Sequence, residues 1–436
     1  MSLKDYHYEM SHCHRCSYCK FLPFQLIQSR EFAYNCPSIA LRNFHSYSAG
    51  GRVILGLSLL EERLTEYTEK MIDIVFECTM CGACQSQCRT YNYNLNPIEV
   101  MQELRCHFVA QGELVPEHMY IIDALKKENN VFGEPRQNRG NWAEGLHVKD
   151  LNKEKADVMI HAGCRTSYDQ DHWPAARAAV ELLRMAGIEA GIYGPTESCC
   201  GGRAYEMGYK GVFENFAEDM FSRVKASGAK VLVTLCGDGY GALKQYYPLT
   251  GHELGVEVLH YTELVWRLIE EKKLQLNKEM PMTVTYHDPC HLGRRGEPAV
   301  PWKGEYKRVK PHIFAPVPEK PMMLGLNGCY EPPRNILKAI TGVNLVEMER
   351  NRIYSWCCGA GAGVLEAYGE LASFSALERI KEARSTGAEA MVTACPWCER
   401  NFRDALEEKG DDYRIHNVIE LVYEAVGGDP NVIHIT

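Results

Sequence analysis

The segment YSWCCGAGAG, residues 354–363, carries two adjacent cysteines followed at once by glycine. Adjacent side chains diverge, so Cys357 and Cys358 do not easily serve one small tetrahedral ion; they suit a larger cluster that accepts sulfur on either side. Gly359 lets the backbone approach inorganic sulfides, whose charge favours N–H donors at a helix start. Flanking this segment are HDPCHLGR (287–294), with Cys290, and AEAMVTACPWC (388–398), with Cys395 and Cys398. The complete pattern is C…CCG…C-x2-C. The segments that carry it alternate: strand-like MTVTYHDPC, helix-like PRNILKAITG, strand-like VNLVEM, the CCG turn, a helix to about Ser385, then strand-like AEAMVTAC. Such alternation predicts an α/β module with a mostly parallel sheet, whose ligands collect beyond the carboxyl ends of the strands.

The same order occurs upstream, in ADVMIHAGC (156–164), a helix from Trp173, IEAGIYG, SCCGG, a helix over Gly211 to Ser227 and AKVLVTLC (229–236). Cys200 and Cys236 enclose 35 residues where Cys358 and Cys395 enclose 36. Cys164 and Cys199 enclose 34 but Cys290 and Cys357 enclose 66, and the excess falls in Glu297–Gly328, which reads as an inserted loop. The first copy has Cys164, Cys199, Cys200 and Cys236, but its last cysteine is replaced by Gly239 in CGDG. Such a site can hold an altered cluster, an ordinary cube, a zinc ion or nothing. Asp238 is either an oxygen ligand there or a turn residue.

Before the repeats, Cys78, Cys81, Cys84 and Cys88 have the C-x2-C-x2-C-x3-C spacing of a ferredoxin [4Fe–4S] cube, and Cys13, Cys16 and Cys19 start a second run that continues with Cys36-Pro37. In two-cluster ferredoxins the fourth cysteine serves the other cube. The expected sets are Cys13, Cys16, Cys19 with Cys88, and Cys78, Cys81, Cys84 with Cys36, although Cys106 competes with Cys36. Zinc is a poorer fit, because zinc sites use paired knuckles. Cys106 and Cys329 otherwise stand alone, as buried apolar side chains.

The expected fold is α+β overall: a helical ferredoxin-like domain with two [4Fe–4S] motifs over residues 1–125, a linker over 126–150, and two α/β modules over 151–278 and 279–436. LSLLEERLTEYTEKMIDIVFEC (57–78) has apolar residues at helical spacing.

The 436 residues contain 19 cysteines and carry a formal charge of −9, an ordinary globular composition that speaks against nucleic-acid binding. No apolar stretch approaches the ~20 residues of a membrane span, which leaves membranes to peripheral association or a partner. MSLKDYHYEM does not read as a signal peptide, and the expected location is cytoplasmic. Thiols kept reduced there are metal ligands rather than disulfides. GAGAG at 359–363 lacks the order of a dinucleotide fingerprint, so electrons must come from partner subunits. His161, His287 and His291 flank the cysteines, as proton donors or as hydrogen-bond partners of sulfur.

On HDPCHLGR, YSWCCGAGAG and the order of ferredoxin domain and two modules, the chain resembles the cysteine-rich CCG-domain family. That family includes the B-type and D-type subunits of heterodisulfide reductase, a sulfite-reduction-associated membrane-complex subunit and the iron–sulfur subunits of glycolate and lactate oxidases; the arrangement is that of the D-type subunit. The resemblance implies a non-cubane [4Fe–4S] cluster on Cys290, Cys357, Cys358, Cys395 and Cys398, the catalytic group in disulfide cleavage. It also implies an oxidoreductase subunit passing electrons from flavin-containing or other partner subunits through two cubes to that cluster, and an anaerobic setting. The alternatives are an iron–sulfur subunit of a 2-hydroxy-acid oxidase, or a pure relay in an acyl-CoA, aromatic-CoA or electron-transfer-flavoprotein-linked complex. A zinc-stabilised interaction module gives the cube spacings no purpose. The gap at Gly239 favours relay or one-site chemistry.

Overall fold

The computed structural model describes residues 2–91, 95–311 and 313–434. Alternation of strand and helix produces two parallel sheets. The first contains β1 (Lys149–Asp150), β2 (Val158–His161), β3 (Ala190–Ile192), β4 (Val231–Thr234) and β5 (Glu257–His260), in the order β1-β3-β2-β4-β5. The second contains β6 (Met282–Tyr286), β9 (Val343–Val346), β10 (Ala390–Thr393) and β11 (Arg414–Asn417), in the order β9-β6-β10-β11. Apart from β1 the two orders are the same, so the repeat seen in the cysteine spacing is a repeat of topology. One apolar core runs through both sheets, from Ile160 and Val233 to Val284 and Val392.

The extra residues of the second copy are more than a loop. They pair β7 (Glu305–Lys310) with β8 (Ile313–Val317) antiparallel. This ribbon leaves its own sheet and packs on the N-terminal domain. Tyr8 donates its hydroxyl to Phe314 O and accepts from Phe314 N, at 3.0 and 3.1 Å. Tyr306 and Lys320 both donate to Glu9 Oε1 at 2.7 Å.

The N-terminal domain is helical. The helical run expected over 57–78 is interrupted: one helix spans Ala49–Leu60 and the next Glu69–Phe76. Glu62 adopts φ +55°, and Thr68 caps the second helix by accepting from Met71 N, so a side chain that competes for backbone donors restarts the helix here. Residues 126–150, expected as a linker, are packed structure. Arg139 and Trp142 are buried, and Arg139 donates to Glu197 Oε1 at 3.0 Å and to Asn129 O at 3.0 Å.

Buried Arg105 joins all three parts. It donates to Cys78 O at 2.6 Å in the N-terminal domain, Glu206 O at 2.9 Å in the first module and Ala362 O at 3.4 Å in the second. The GAGAG run serves the same contact: a Cβ on Gly361 would lie 2.8 Å from Thr79 O, so glycine admits the loop that leads to Cys81.

Candidate iron–sulfur centres

Each α/β module places its cysteines where strands end and helices begin. Cys164 lies in the first turn after β2, and Cys236 and Cys395 occupy the N-cap positions of the helices after β4 and β10. Backbone N–H groups at such ends favour anionic sulfur. In the first module Cys164 and Cys199 approach Sγ to Sγ at 3.4 Å. Gly201 N donates to Cys199 Sγ at 3.4 Å and Arg139 Nη2 reaches Cys164 Sγ at 3.7 Å. The four cysteines line one cavity with His161, Arg203, Asp238 and Gly239. Glu197 braces its rim, accepting from Ala162 N at 3.0 Å and Gly163 N at 3.1 Å.

The second module repeats the design. Gly359 N donates to Cys357 Sγ at 3.4 Å. Cys358, Cys395 and Cys398 share one buried cluster. His287, Cys358 and Cys398 bring their donor atoms within 4.8 Å of one another. Cys290 Sγ lies 3.2 Å from His291 Nδ1, and His291 Nε2 lies 2.5 Å from Glu206 Oε1. Burial alone would lower His291, but Glu206 and Asp238 hold it at about 9, so it carries charge at neutral pH. Asp238 is pushed up to about 7 by burial, despite His291.

The N-terminal cysteines form two groups. Cys13, Cys16, Cys19 and Cys88 line one cavity. Cys36 is an electrostatic neighbour of Cys78 and Cys81, and Cys84 of Cys78, Cys81, Cys36 and Cys19. Cys106 falls outside both groups, half-buried and facing Gln102, and Cys329 is buried beside Thr262.

These groups are neighbours in series. Cys19 packs against the apolar cluster that holds Cys84; Cys81, Cys290 and Cys357 share a second cluster; and Cys395 shares a third with Cys236 of the first module. Arg294 fixes the second of these junctions, donating to Cys81 O at 3.0 Å and Ser355 O at 2.6 Å.

No cysteine among the described residues forms a disulfide. Burial pushes the Cys36 thiol up to about 12, so a thiol here ionises where a metal replaces its proton. Dense thiol sets with N–H donors on sulfur, as Gly201 and Gly359 supply in the modules, fit iron–sulfur clusters.

Arg139, Glu197, Arg294 and Glu206 carry no local signal in the sequence, because each acts on a cysteine loop distant along the chain. The same holds for a cavity lined by Gln85, Gln102, Gln245, Arg295, Trp302 and Met323 among others. Gln85 Oε1, Gln102 Oε1, Gln245 Oε1 and Arg295 Nε are buried without hydrogen-bond partners among the described residues.

The cysteine-rich domain family, CCG, matches residues 158–244 and 322–403, and the 4Fe-4S dicluster domain matches residues 9–91. The D-type subunit of the dihydromethanophenazine:CoB–CoM heterodisulfide reductase of Methanosarcina mazei is 30% identical over 431 residues, covering 96% of this chain and 94% of the relative. An EtfAB:quinone oxidoreductase of Syntrophomonas wolfei is 27% identical, covering 87% of this chain and 51% of the relative. A hypothetical protein from Helicobacter pylori has a similar fold, with a TM-score of 0.53 at 12% identity, over 88% of this chain and 68% of that one. No described helix is long and apolar enough to cross a membrane.

Proposed function

We propose, for a chain that belongs to the CCG-domain family of iron–sulfur oxidoreductase subunits typified by the D-type subunit of heterodisulfide reductase, that it carries electrons between partner subunits and a special cluster in its second module. The observation that carries this reading is the series of thiol neighbours: Cys19 to Cys84, Cys81 to Cys357, and Cys395 to Cys236. One cubane [4Fe–4S] cluster is held by Cys13, Cys16, Cys19 and Cys88, a second by Cys36, Cys78, Cys81 and Cys84. A non-cubane [4Fe–4S] cluster is held by Cys290, Cys357, Cys358, Cys395 and Cys398, and a further centre by Cys164, Cys199, Cys200 and Cys236. When bound, such clusters supply one-electron storage and transfer.

The chain's own residues keep these sites in register. Arg294 and Arg105 lock the loop of Cys78–Cys84 to the modules, and the Glu206–His291 pair sets a fixed charge beside Cys290. The flavin-containing or other partner subunits supply or collect the electrons. Gly239 supports a second reading, a relay without disulfide chemistry, as in a complex serving an electron-transfer flavoprotein.

Iron, sulfide and zinc per chain, on anaerobically purified protein, test the reading. About sixteen irons mean four clusters; about eight irons without zinc leave both modules empty and overturn it. Anaerobic mixing with a heterodisulfide or with reduced electron-transfer flavoprotein separates the two versions by which one exchanges electrons with the chain.

A further inference from the structure

His161 ends β2 and lies three residues before Cys164, as His287 follows β6 and lies three residues before Cys290. The ladders match: His161 pairs with Thr234, and His287 N donates to Val392 O beside Thr393. His161 is therefore the counterpart of His287, and Gly239 the counterpart of Cys398. In the second module a nitrogen of His287 lies within 4.8 Å of the Cys358 and Cys398 sulfurs. In the first module the cysteine is gone, and a Cβ built on Gly239 would lie 3.8 Å from His161 Nδ1. The imidazole is wholly buried and lines the same cavity as Cys164, Cys199, Cys200 and Cys236.

Its hydrogen bonding fixes which nitrogen is bare. Nε2 lies 3.0 Å from Ser198 O, a carbonyl that can only accept, so Nε2 carries the proton. Nδ1 has no hydrogen-bond partner among the described residues. Burial holds the ring neutral, which leaves a lone pair on Nδ1 with nothing to accept from. A histidine whose far N–H is anchored on a carbonyl is oriented as metal-binding histidines are.

We propose that His161 Nδ1 is a ligand of the first module's metal centre, filling the place of the cysteine missing at Gly239 and joining Cys164, Cys199, Cys200 and Cys236. This rests on the reading that the first module holds a metal centre. Asp238 also has an unpartnered oxygen, Oδ2, but its Oδ1 lies 3.5 Å from His291 Nδ1, toward the second module's charged pair. A neutral nitrogen in place of a thiolate makes the centre less negative and raises its reduction potential. The first module then accepts electrons more readily than an all-cysteine site would.

The test is pulsed EPR on the full chain, purified anaerobically with and without ¹⁵N-histidine and partially reduced, alongside metal analysis. The expected result is a nitrogen coupling that changes with the label and disappears in His161→Ala. In Gly239→Cys, which keeps the histidine, the coupling is lost and the centre titrates at lower potential; His161→Ala/Gly239→Cys retains the iron of wild type. About sixteen irons without a label-sensitive coupling overturn the ligand and leave the function intact. A coupling that survives in His161→Ala overturns it too, by assigning the nitrogen elsewhere. About twelve irons with one zinc overturn the iron–sulfur reading of this module; zinc X-ray absorption then supports the ligand if it shows a nitrogen lost in His161→Ala and overturns it if it shows none. An empty first module overturns both.

Discussion

Cys236, just beyond β4, packs in one buried cluster with Cys395, just beyond β10. The two modules thus meet at the carboxyl ends of equivalent strands, and a Cβ on the intervening Gly237 would lie 3.3 Å from Cys395 Sγ. Cys395→Ala is expected to alter the spectra of both module centres, whereas Cys290→Ala, on the far side next to Cys81, alters those of the second module and the neighbouring cube. Iron analysis and EPR of the two variants check this. If Cys395→Ala leaves the first-module signal unchanged, the shared junction carries no electronic contact.

The proposed ligand sets exchange Cys36 and Cys88 between the two ferredoxin runs. Cys36→Ala should remove the same EPR signal as Cys81→Ala, and Cys88→Ala the same as Cys13→Ala. Pairing in the opposite sense would refute the crossed ligand sets.

Gly359 has φ +102°, and a Cβ there would lie 2.6 Å from Ala372 O and 2.8 Å from Ser375 Cβ. Gly359→Ala combines backbone strain with overpacking at the turn that carries Cys357 and Cys358, at a cost of about 2–4 kcal/mol. Thermal unfolding and iron content should both fall. Gly369→Ala, with no heavy atom near its would-be Cβ, serves as the neutral control.

Arg105→Met removes the side-chain donor from the buried carbonyls of Cys78 and Glu206. The expected loss is about 2–5 kcal/mol, with looser association of the N-terminal domain. Hydrogen exchange should rise at both ends of the contact, near Cys78 and near Glu206, rather than at one.

His118 gives an acid dependence of known sign. Burial, aided by Arg105, lowers it to about 3, while its Nε2 holds Gly363 O at 3.2 Å. A depressed histidine contributes stability that is complete above its usual value near 6.5 and is lost as pH falls toward about 3. Melting temperature should therefore drop between pH 7 and pH 5 more steeply in wild type than in His118→Gln. Equal slopes would mean that His118 accepts a proton freely.

The repeat was legible because strand periodicity and cysteine spacing are local. ADVMIHAGC and MTVTYHDPC both contain the strands that lead to a cysteine, β2 and β6, although each strand ends three or four residues before that cysteine. The 126–150 segment was misleading for the opposite reason: its Asn, Arg and Gly content looks like a linker, yet Arg139 is buried against Glu197, 58 residues away. Charge in a sequence signals solvent unless its partner is visible, and here the partner belongs to another loop. The break at 61–68 had a local signal, Thr68 as a cap, that the apolar spacing outweighed. His161 Nδ1 could not be singled out from sequence, because its meaning depends on which nitrogen faces Ser198 O.

The bonds between Tyr8 and Phe314 join positions 306 residues apart. A chain growing from a ribosome has made all its ferredoxin cysteines long before the ribbon that clasps their domain emerges. Loading of the first cubes during synthesis would take place on an open scaffold, and translation of β8 closes it. A ribosome stalled before Phe314 should hold an N-terminal domain that proteases cut near Tyr8, and a chain released after it should resist there.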